Sequence, residues 1–332
     1  GLEHWQAPEL LSTREPGNFI TLWSRTCSKE FGHFVAFLQA TPLAPLGELL
    51  KEVFRVPDPS RLPDPPPFVE QLTLSVDAVI EREEARGVPE SSPVVKCVFV
   101  SLCWMLDRLY EGRPIQKFWV LETVARLPYF SYISVLHLYE SLGWWRTPEL
   151  RNIHHAEELN ELHHLLIMES LGGNRSWFDR FFAQNAALVY YWVVVGLFFL
   201  DPKLAYNFSL LVEEHAYTTY AQFVDENAEV LMQMPPPPIA IQYYVAGDLY
   251  YFDKFHSDPQ APKRRPPCRD MLDVFSNIRD DELEHVRTMG ACQDWWSGEG
   301  PTPIPGAARG MLGSRSEWAE WSAQVNSMSL EK

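Results

Sequence analysis

Positive charge is what this sequence is shortest of: 28 lysines and arginines stand against 44 aspartates and glutamates in 332 residues, a formal net charge of −16. A surface of that sign does not neutralise phosphates, so nonspecific nucleic-acid binding is excluded as a function class. Cysteine is sparse and unpatterned. Cys27, Cys97, Cys103, Cys268 and Cys292 form no C-x-x-C pair. That excludes a disulfide framework and a cysteine zinc site, and a reducing compartment is the simplest reading. No apolar signal region follows Gly1, so the expectation is that any targeting peptide was never present or has been removed. What the chain does have is 46% apolar and 13% aromatic residues, enough to bury one or two cores and too many for wholesale disorder.

Residues 1–97 mix short helical patterns, around Phe31 to Leu38 and Phe68 to Glu84, with prolines at 57, 59, 63 and 65 to 67, and read as an irregular N-terminal arm. From about Val98 the apolar residues recur at helical spacing and the breakers fall between long segments, as in a helix bundle over residues 98–292. Few strand signals interrupt it. Thr147-Pro148 is a helix start and Gly172-Gly173 its stop; Asp201-Pro202 repeats the start, and Pro235 to Pro238 end the next helix. A Pro-rich insertion, about residues 235–269, with an exposed loop over His256 to Arg269, precedes one more helix near Asp270 to Cys292. Residues 293–332 read as a loosely ordered tail. Ala186 to Leu200 is the most apolar run but slightly short for a span. A span there would also part candidate ligands on its two sides by ~30 Å, so a buried or surface-lying helix is expected.

Two E-x-x-H pairs, Glu161 with His164 and Glu282 with His285, fall on helical patterns. Positions i and i+3 share a helix face, so each pair offers one carboxylate and one imidazole to a common ion. A single copy is weak evidence. Two copies gain weight if two further helices each supply an inward glutamate, the ligand set of ferritin-like di-metal bundles. Glu122, in an otherwise apolar stretch, and Glu213, followed by Glu214, are the candidates. The bland alternatives are a surface carboxylate or an Arg126 partner for Glu122, and a solvated acidic face for Glu213. Four buried glutamates would cost several kcal/mol each unless neutralised, and two divalent cations balance four negative charges. Oxygen and imidazole donors without thiolate favour iron or manganese over zinc.

These motifs resemble the alternative oxidases, di-iron quinol oxidases that lie on one leaflet of a membrane. The resemblance covers roughly Val98 to Cys292 and rests on Leu121-Glu122-Thr123, Asn160-Glu161 through His164-Leu165, Glu213-Glu214-His215-Ala216 and Arg279-Asp280-Asp281-Glu282 through His285. The 69-residue separation of Glu213 and Glu282 leaves room for the Pro-rich insertion and is similar to the plastid terminal oxidase branch. The resemblance implies an all-α, ferritin-like di-iron four-helix bundle with additional membrane-surface helices. It implies two iron ions (Fe2+/Fe3+) held by Glu122, Glu161, His164, Glu213, Glu282 and His285, with Tyr220 as the catalytic tyrosine beside them. Glu157, Asn160, His137 and Asp281 match positions surrounding the ligands. Lys117, Leu121, Ala216, Thr219 and His215 are the implied quinol contacts; the mitochondrial branch has Arg and Glu where this chain has Lys117 and His215.

The implied activity is plastoquinol oxidation with reduction of O2 to water on the stromal side of the thylakoid membrane. Partners would be plastoquinol, O2 and one membrane leaflet, with a homodimer or higher oligomer compatible. Apolar surfaces for the leaflet are sought at Phe118 to Leu142, kinked at Pro128, and at Phe181 to Leu200. Other readings are a di-iron hydroxylase or desaturase, or a non-enzymatic iron-binding helical membrane protein.

Overall fold

The structure, a computed structural model, describes residues 17–56, 64–247, 249–253 and 265–299. The tail beyond residue 299 and most of the loop expected over His256 to Arg269 lie outside the described residues. Ten α-helices make up the rest, with no strand among the described residues. The N-terminal region is more helical than its prolines suggest: α1 (Phe19–Gln39) and α2 (Ala44–Phe54) form a hairpin. After a 3-10 turn at Pro67–Gln71 comes α3 (Val76–Arg86), capped by Ser75, whose hydroxyl accepts the Ala78 amide.

Next comes α4 (Pro93–Leu109), which Ser92 caps and Pro93 starts, a fixed φ suiting the first turn. Four long helices then carry the expected ligands: α5 (Pro114–Ser141), α6 (Pro148–Ser170), α8 (Pro202–Leu231) and α10 (Met271–Ser297). Between them run α7 (Trp177–Leu200) and the short α9 (Pro238–Ile241), which continues into a π turn at Gln242–Ala246. The expected breakers stop the helices for visible reasons. Gly172 takes φ +83° just after α6, a conformation that side chains with a Cβ disfavour, and Asp201 both ends α7 and caps α8 by accepting the Lys203 amide. Thr147 does not cap α6 through its hydroxyl; its amide is instead taken by the Glu140 carboxylate. α10 runs to Ser297, beyond the expected stop at Cys292.

Two apolar clusters fill the bundle. One contains Phe118, Ile167, Tyr220, Phe223, Phe275 and Ile278; the other contains Tyr129, Leu150, Phe198, Tyr206, Met289 and Cys292. Along α5 and α10 the chain passes from the first cluster to the second, and along α6 and α8 from the second to the first. The helices are therefore antiparallel in pairs, and on each the ligand candidates fall between the two apolar layers.

α5 is mostly core, with Phe118, Tyr129 and Tyr132 at 0% exposure, so the membrane face expected over Phe118 to Leu142 is largely used up in packing. α7 keeps its apolar face: Leu188, Val189 and Trp192 are all exposed. Among the described residues it alone is long and apolar enough to cross a membrane, with a mean hydropathy of 1.6 and only 22% of the apolar window buried. α4, which the sequence reading did not nominate, also exposes Val94, Val98, Leu102 and Trp104. The two helices meet beside α8 in a small cluster of Val95, Phe99, Tyr190, Phe208 and Leu211.

Candidate metal centre

Glu122 on α5, Glu161 and His164 on α6, and Glu282 on α10 place donor atoms within 4.8 Å of one another, all buried. His285 on α10 joins them, its Nε2 lying 3.1 Å from Glu161 Oε1. Glu213 on α8 approaches from the side of Tyr129, whose hydroxyl donates to its Oε1 at 2.8 Å. All six residues implied by the family resemblance are at most 2% exposed. The alternatives for the two lone glutamates fall away: Arg126 pairs with Glu158 and not with Glu122, and Glu214, not Glu213, takes the surface arginine, Arg86. With Glu161, His164 and Glu213 in one place, α7 does not part the ligands.

The cluster carries unmet donor capacity. Both oxygens of Glu161, Glu122 Oε2, Glu213 Oε2 and Glu282 Oε1 accept no hydrogen bond, and Nδ1 of His164 and of His285 has no hydrogen-bond partner. Among the described residues no lysine or arginine forms an ion pair with any of these four glutamates. Each imidazole instead has its Nε2 engaged by an outer acceptor: Asp281 Oδ2 at 3.3 Å from His164, and Asn160 Oδ1 at 2.8 Å from His285. For His164 that arrangement leaves Nδ1 facing Glu282 at 3.2 Å and Glu122 at 3.7 Å, the usual way an outer partner orients a metal-binding histidine, whereas the His285 ring turns Nε2 toward both Asn160 and Glu161 and keeps Nδ1 3.8 Å from Glu157. Buried carboxylates with empty lone pairs and no cation are costly, and two divalent ions satisfy the charge and the geometry together. Six oxygen and nitrogen donors without sulfur fit iron or manganese.

The titration shifts express the same crowding. Burial, reinforced by Glu282 and Glu122, pushes Glu161 well above the usual carboxylate range. Glu213 is pushed up by burial and by Glu282. Burial alone would depress His164, but Asp281, Glu122 and Glu282 raise it well above the ordinary imidazole value; Glu157 and Glu161 do the same for His285. Glu122 stays below the usual range because His164, with help from Tyr220, outweighs its burial.

Asp281 is the hub of the surrounding shell. Beyond His164 it accepts hydrogen bonds from Asn160 Nδ2, Tyr244 and Tyr250, each at 2.9 Å. Asn160 also donates to Tyr243 at 2.8 Å. These three tyrosines come from residues 243–250, inside the supposed insertion, so its first part is built into the shell around the centre. Sequence reasoning missed them, although the run Tyr243-Tyr244 after a proline stretch was visible. Glu157 bridges outward, its Oε2 2.8 Å from His154 Nδ1, while His154 Nε2 meets the Tyr206 hydroxyl at 2.9 Å. His163 points elsewhere, bonding the Leu159 carbonyl and stacking on Tyr243. His137 is exposed, 15 residues or ~22 Å along α5 from Glu122, and is not near the cluster.

Tyr220 is 1% exposed, stacks on Phe118 at 4.2 Å, and donates its hydroxyl to Glu122. Ala216 lies one turn back on α8, and Thr219, the residue before Tyr220, is fully buried. Lys117 is buried and paired with Asp107 at 2.6 Å. His215 meets Glu83 of α3 at 2.5 Å, with the Phe99 ring edge-on at 5.9 Å. The cleft beside it, about 20 Å³ and lined in part by Glu83, Arg86, Phe99 and His215, is of a size for one water. A quinol head group would have to displace α3 or α4 side chains to enter there. A wider aromatic cleft of about 560 Å³, lined by Tyr139, Trp144, Trp145, Trp295 and Trp296, lies at the far end of α10 and is remote from the cluster.

A sequence profile of the alternative oxidases matches residues 82–294, nearly two thirds of the chain. The chain belongs to the alternative oxidase family. It is 52% identical over 226 residues to ubiquinol oxidase 4, chloroplastic/chromoplastic, of Arabidopsis thaliana, which covers 68% of this chain and 62% of that protein. Mitochondrial relatives are more distant. Ubiquinol oxidase 1b of Oryza sativa subsp. japonica is 25% identical over 217 residues (64% of this chain, 56% of that protein), and the ubiquinol oxidase of Mangifera indica is 29% identical over 187 (54% and 50%). The chain thus spans about half to 62% of the length of these relatives. Within the family it sides with the plastid terminal oxidase branch.

Proposed function

We propose that this alternative oxidase is a di-iron plastoquinol oxidase of the plastid, acting at the stromal surface of the thylakoid. The observation that carries the reading is the buried ring of carboxylate and imidazole atoms left without partners on four helices. Glu122, Glu161, His164, Glu213, Glu282 and His285 would hold the iron. Bound there, the ions would supply the oxygen-binding site and the electron storage that reduction of O2 to water requires.

The rest is work for the chain's own groups. Two quinols deliver the four electrons and four protons that one O2 consumes. The Tyr220 hydroxyl, held on Glu122 in a dry setting, is placed to release and regain a proton beside the reacting oxygen. Lys117, Leu121, Ala216, Thr219 and His215 form the quinol side. His215, raised against its burial to about 9 by Cys103 and Glu83, holds its proton at neutral pH and is positioned to donate a hydrogen bond to a quinol oxygen, and the buried Thr219 hydroxyl, which has no hydrogen-bond partner, is free to bond the ring oxygen. The two packed aromatic and aliphatic layers exclude water from the centre.

Quinols of this kind are lipid-soluble, and the exposed apolar faces of α4 and α7 suit contact with one leaflet. For a chain of net charge −16 that contact is hydrophobic, so detergent and not salt should release it. The deciding experiment measures iron per chain together with oxygen uptake driven by a plastoquinol analogue. Two irons and quinol-dependent uptake are expected. Iron-loaded protein that consumes oxygen without quinol, or that oxygenates an organic substrate, would overturn the assignment.

A further inference from the structure

The hairpin of α1 and α2 lies outside residues 82–294, and nothing in the proposed chemistry gives it a task. It is nevertheless firmly seated. The buried Arg180 side chain, on the first turn of α7, grips Glu30 of α1 at 3.0 Å and also donates to the Asn174 and Arg175 carbonyls. Phe34 and Phe37 pack on Trp177 at 4.8 and 5.4 Å.

The outward side of the hairpin is apolar. On α1, Ile20, Trp23, Cys27 and Phe31 recur every three or four residues, and all four are exposed, Ile20 and Trp23 by 74% and 61%. On α2, Leu46, Leu49, Val53 and Phe54 are exposed in the same way. A chain of ring contacts, through the half-buried Phe34 and Trp177, links this surface to α7. Phe54 meets Phe31 at 5.7 Å, Phe31 meets Phe34, Phe34 meets Trp177, and Trp177 stacks on the exposed Phe181 at 5.2 Å. From Phe181 the stripe continues along α7 through Leu188, Trp192 and Phe199, spaced as one helix face. The charge balance changes here too. Residues 19–55 hold four basic and three acidic side chains, in a chain where acids outnumber bases 44 to 28. The net acidity that would repel an anionic leaflet is absent from this element, and Arg25 and Arg55 lie exposed on it beside the exposed Glu48 and Glu52.

We propose that the α1–α2 hairpin is a membrane-docking element of its own, laying its apolar face in the same leaflet as α4 and α7. It rests on the leaflet contact proposed for those two helices. Continuity with the α7 stripe and the basic residues on the hairpin favour lipid over a second copy of the chain as the occupant.

Native cysteines supply the test. Cys27 sits in the α1 stripe, Cys97 on the exposed side of α4, and Cys292 is buried and serves as the unreactive control. The full chain is treated with a water-soluble maleimide, with and without vesicles of phosphatidylcholine containing a minority of phosphatidylglycerol, and labelling is read for each cysteine by peptide mass spectrometry. Vesicles should slow labelling of Cys27 and Cys97 alike, severalfold. Shielding of Cys97 with Cys27 unchanged overturns the hairpin proposal and leaves the leaflet contact standing; no shielding of either removes both. Slowing of Cys27 that follows protein concentration and ignores vesicles would assign the face to a second copy and also overturn it. A second measurement uses the W23E/L46E variant. At iron content equal to the parent it should float less with vesicles, and flotation equal to the parent's counts against the proposal.

Discussion

His164 presents Nδ1 to the cluster because Asp281 already holds its Nε2, and Asn160 steadies the ring of His285 from outside in turn. Asp281 is the more exposed to mutation of the two, since it also terminates the hydroxyls of Tyr244 and Tyr250. Removing its carboxylate in Asp281→Ala frees the His164 ring and strands two buried phenols. The expected result is a loss of about 10- to 100-fold in iron affinity, read by chelator competition, with Tyr244→Phe milder because Tyr250 and Asn160 still hold the carboxylate. Tyr220 answers a different question. Tyr220→Phe keeps the stacking on Phe118 and deletes only the hydroxyl on Glu122, so iron content should be unchanged while quinol oxidase turnover drops by about 100-fold or more. Full turnover in that variant would take the tyrosine out of the reaction.

Helix contacts set where those side chains meet, and Gly173 shows how tightly. A Cβ there would stand 2.5 Å from Trp119 Cβ and 3.0 Å from the Met168 carbonyl, so α5 and the end of α6 approach through the missing side chain. Gly173→Ala should cost about 1–3 kcal/mol by overpacking. The same change at Gly196, near the C-terminal end of α7 with nothing within 4 Å, should instead gain up to about 1 kcal/mol from helix propensity. Thermal unfolding of the pair, with opposite shifts of Tm, checks both. Elements of this kind were legible in the sequence where their signal is local. E-x-x-H works at i and i+3 on one helix, and Gly172 and Asp201-Pro202 punctuate the chain beside the helices they end or start. What stayed hidden depends on distant partners. Glu83 reaches His215 across 132 residues, and Tyr250 finds Asp281 only because the chain after the proline run folds back onto α10. The hairpin of α1 and α2 was masked by its neighbouring prolines, and α5 resembled a membrane face because a helix packed on most sides is apolar on most sides.

For the whole molecule the buried charges tie folding to the ions. Glu161 and Glu213 are raised by burial and neighbouring carboxylates, and His164 and His285 are raised by carboxylates against burial. A group whose folded pKa lies above its unfolded value adds stability that is complete below the unfolded pKa and lost as pH climbs through the folded one. Glu122 and Glu157 are shifted the other way, so their contribution fades only in acid, below the range in question. Without metal, stability should therefore decline from mildly acidic to mildly alkaline buffer. With metal the trend opposes this, because carboxylates and imidazoles bind cations deprotonated and the released protons favour binding at higher pH. Free Fe(II) at a hundred times its dissociation constant would add about 2.7 kcal/mol, and that constant itself tightens as pH rises. Anaerobic thermal scans of Fe(II)-loaded and chelator-stripped protein should thus show a difference in Tm that widens with pH. If the difference shrank instead, the charge of the four glutamates would have to be balanced by something other than bound cations, and the centre would lose its physical reason to be where the two apolar layers meet.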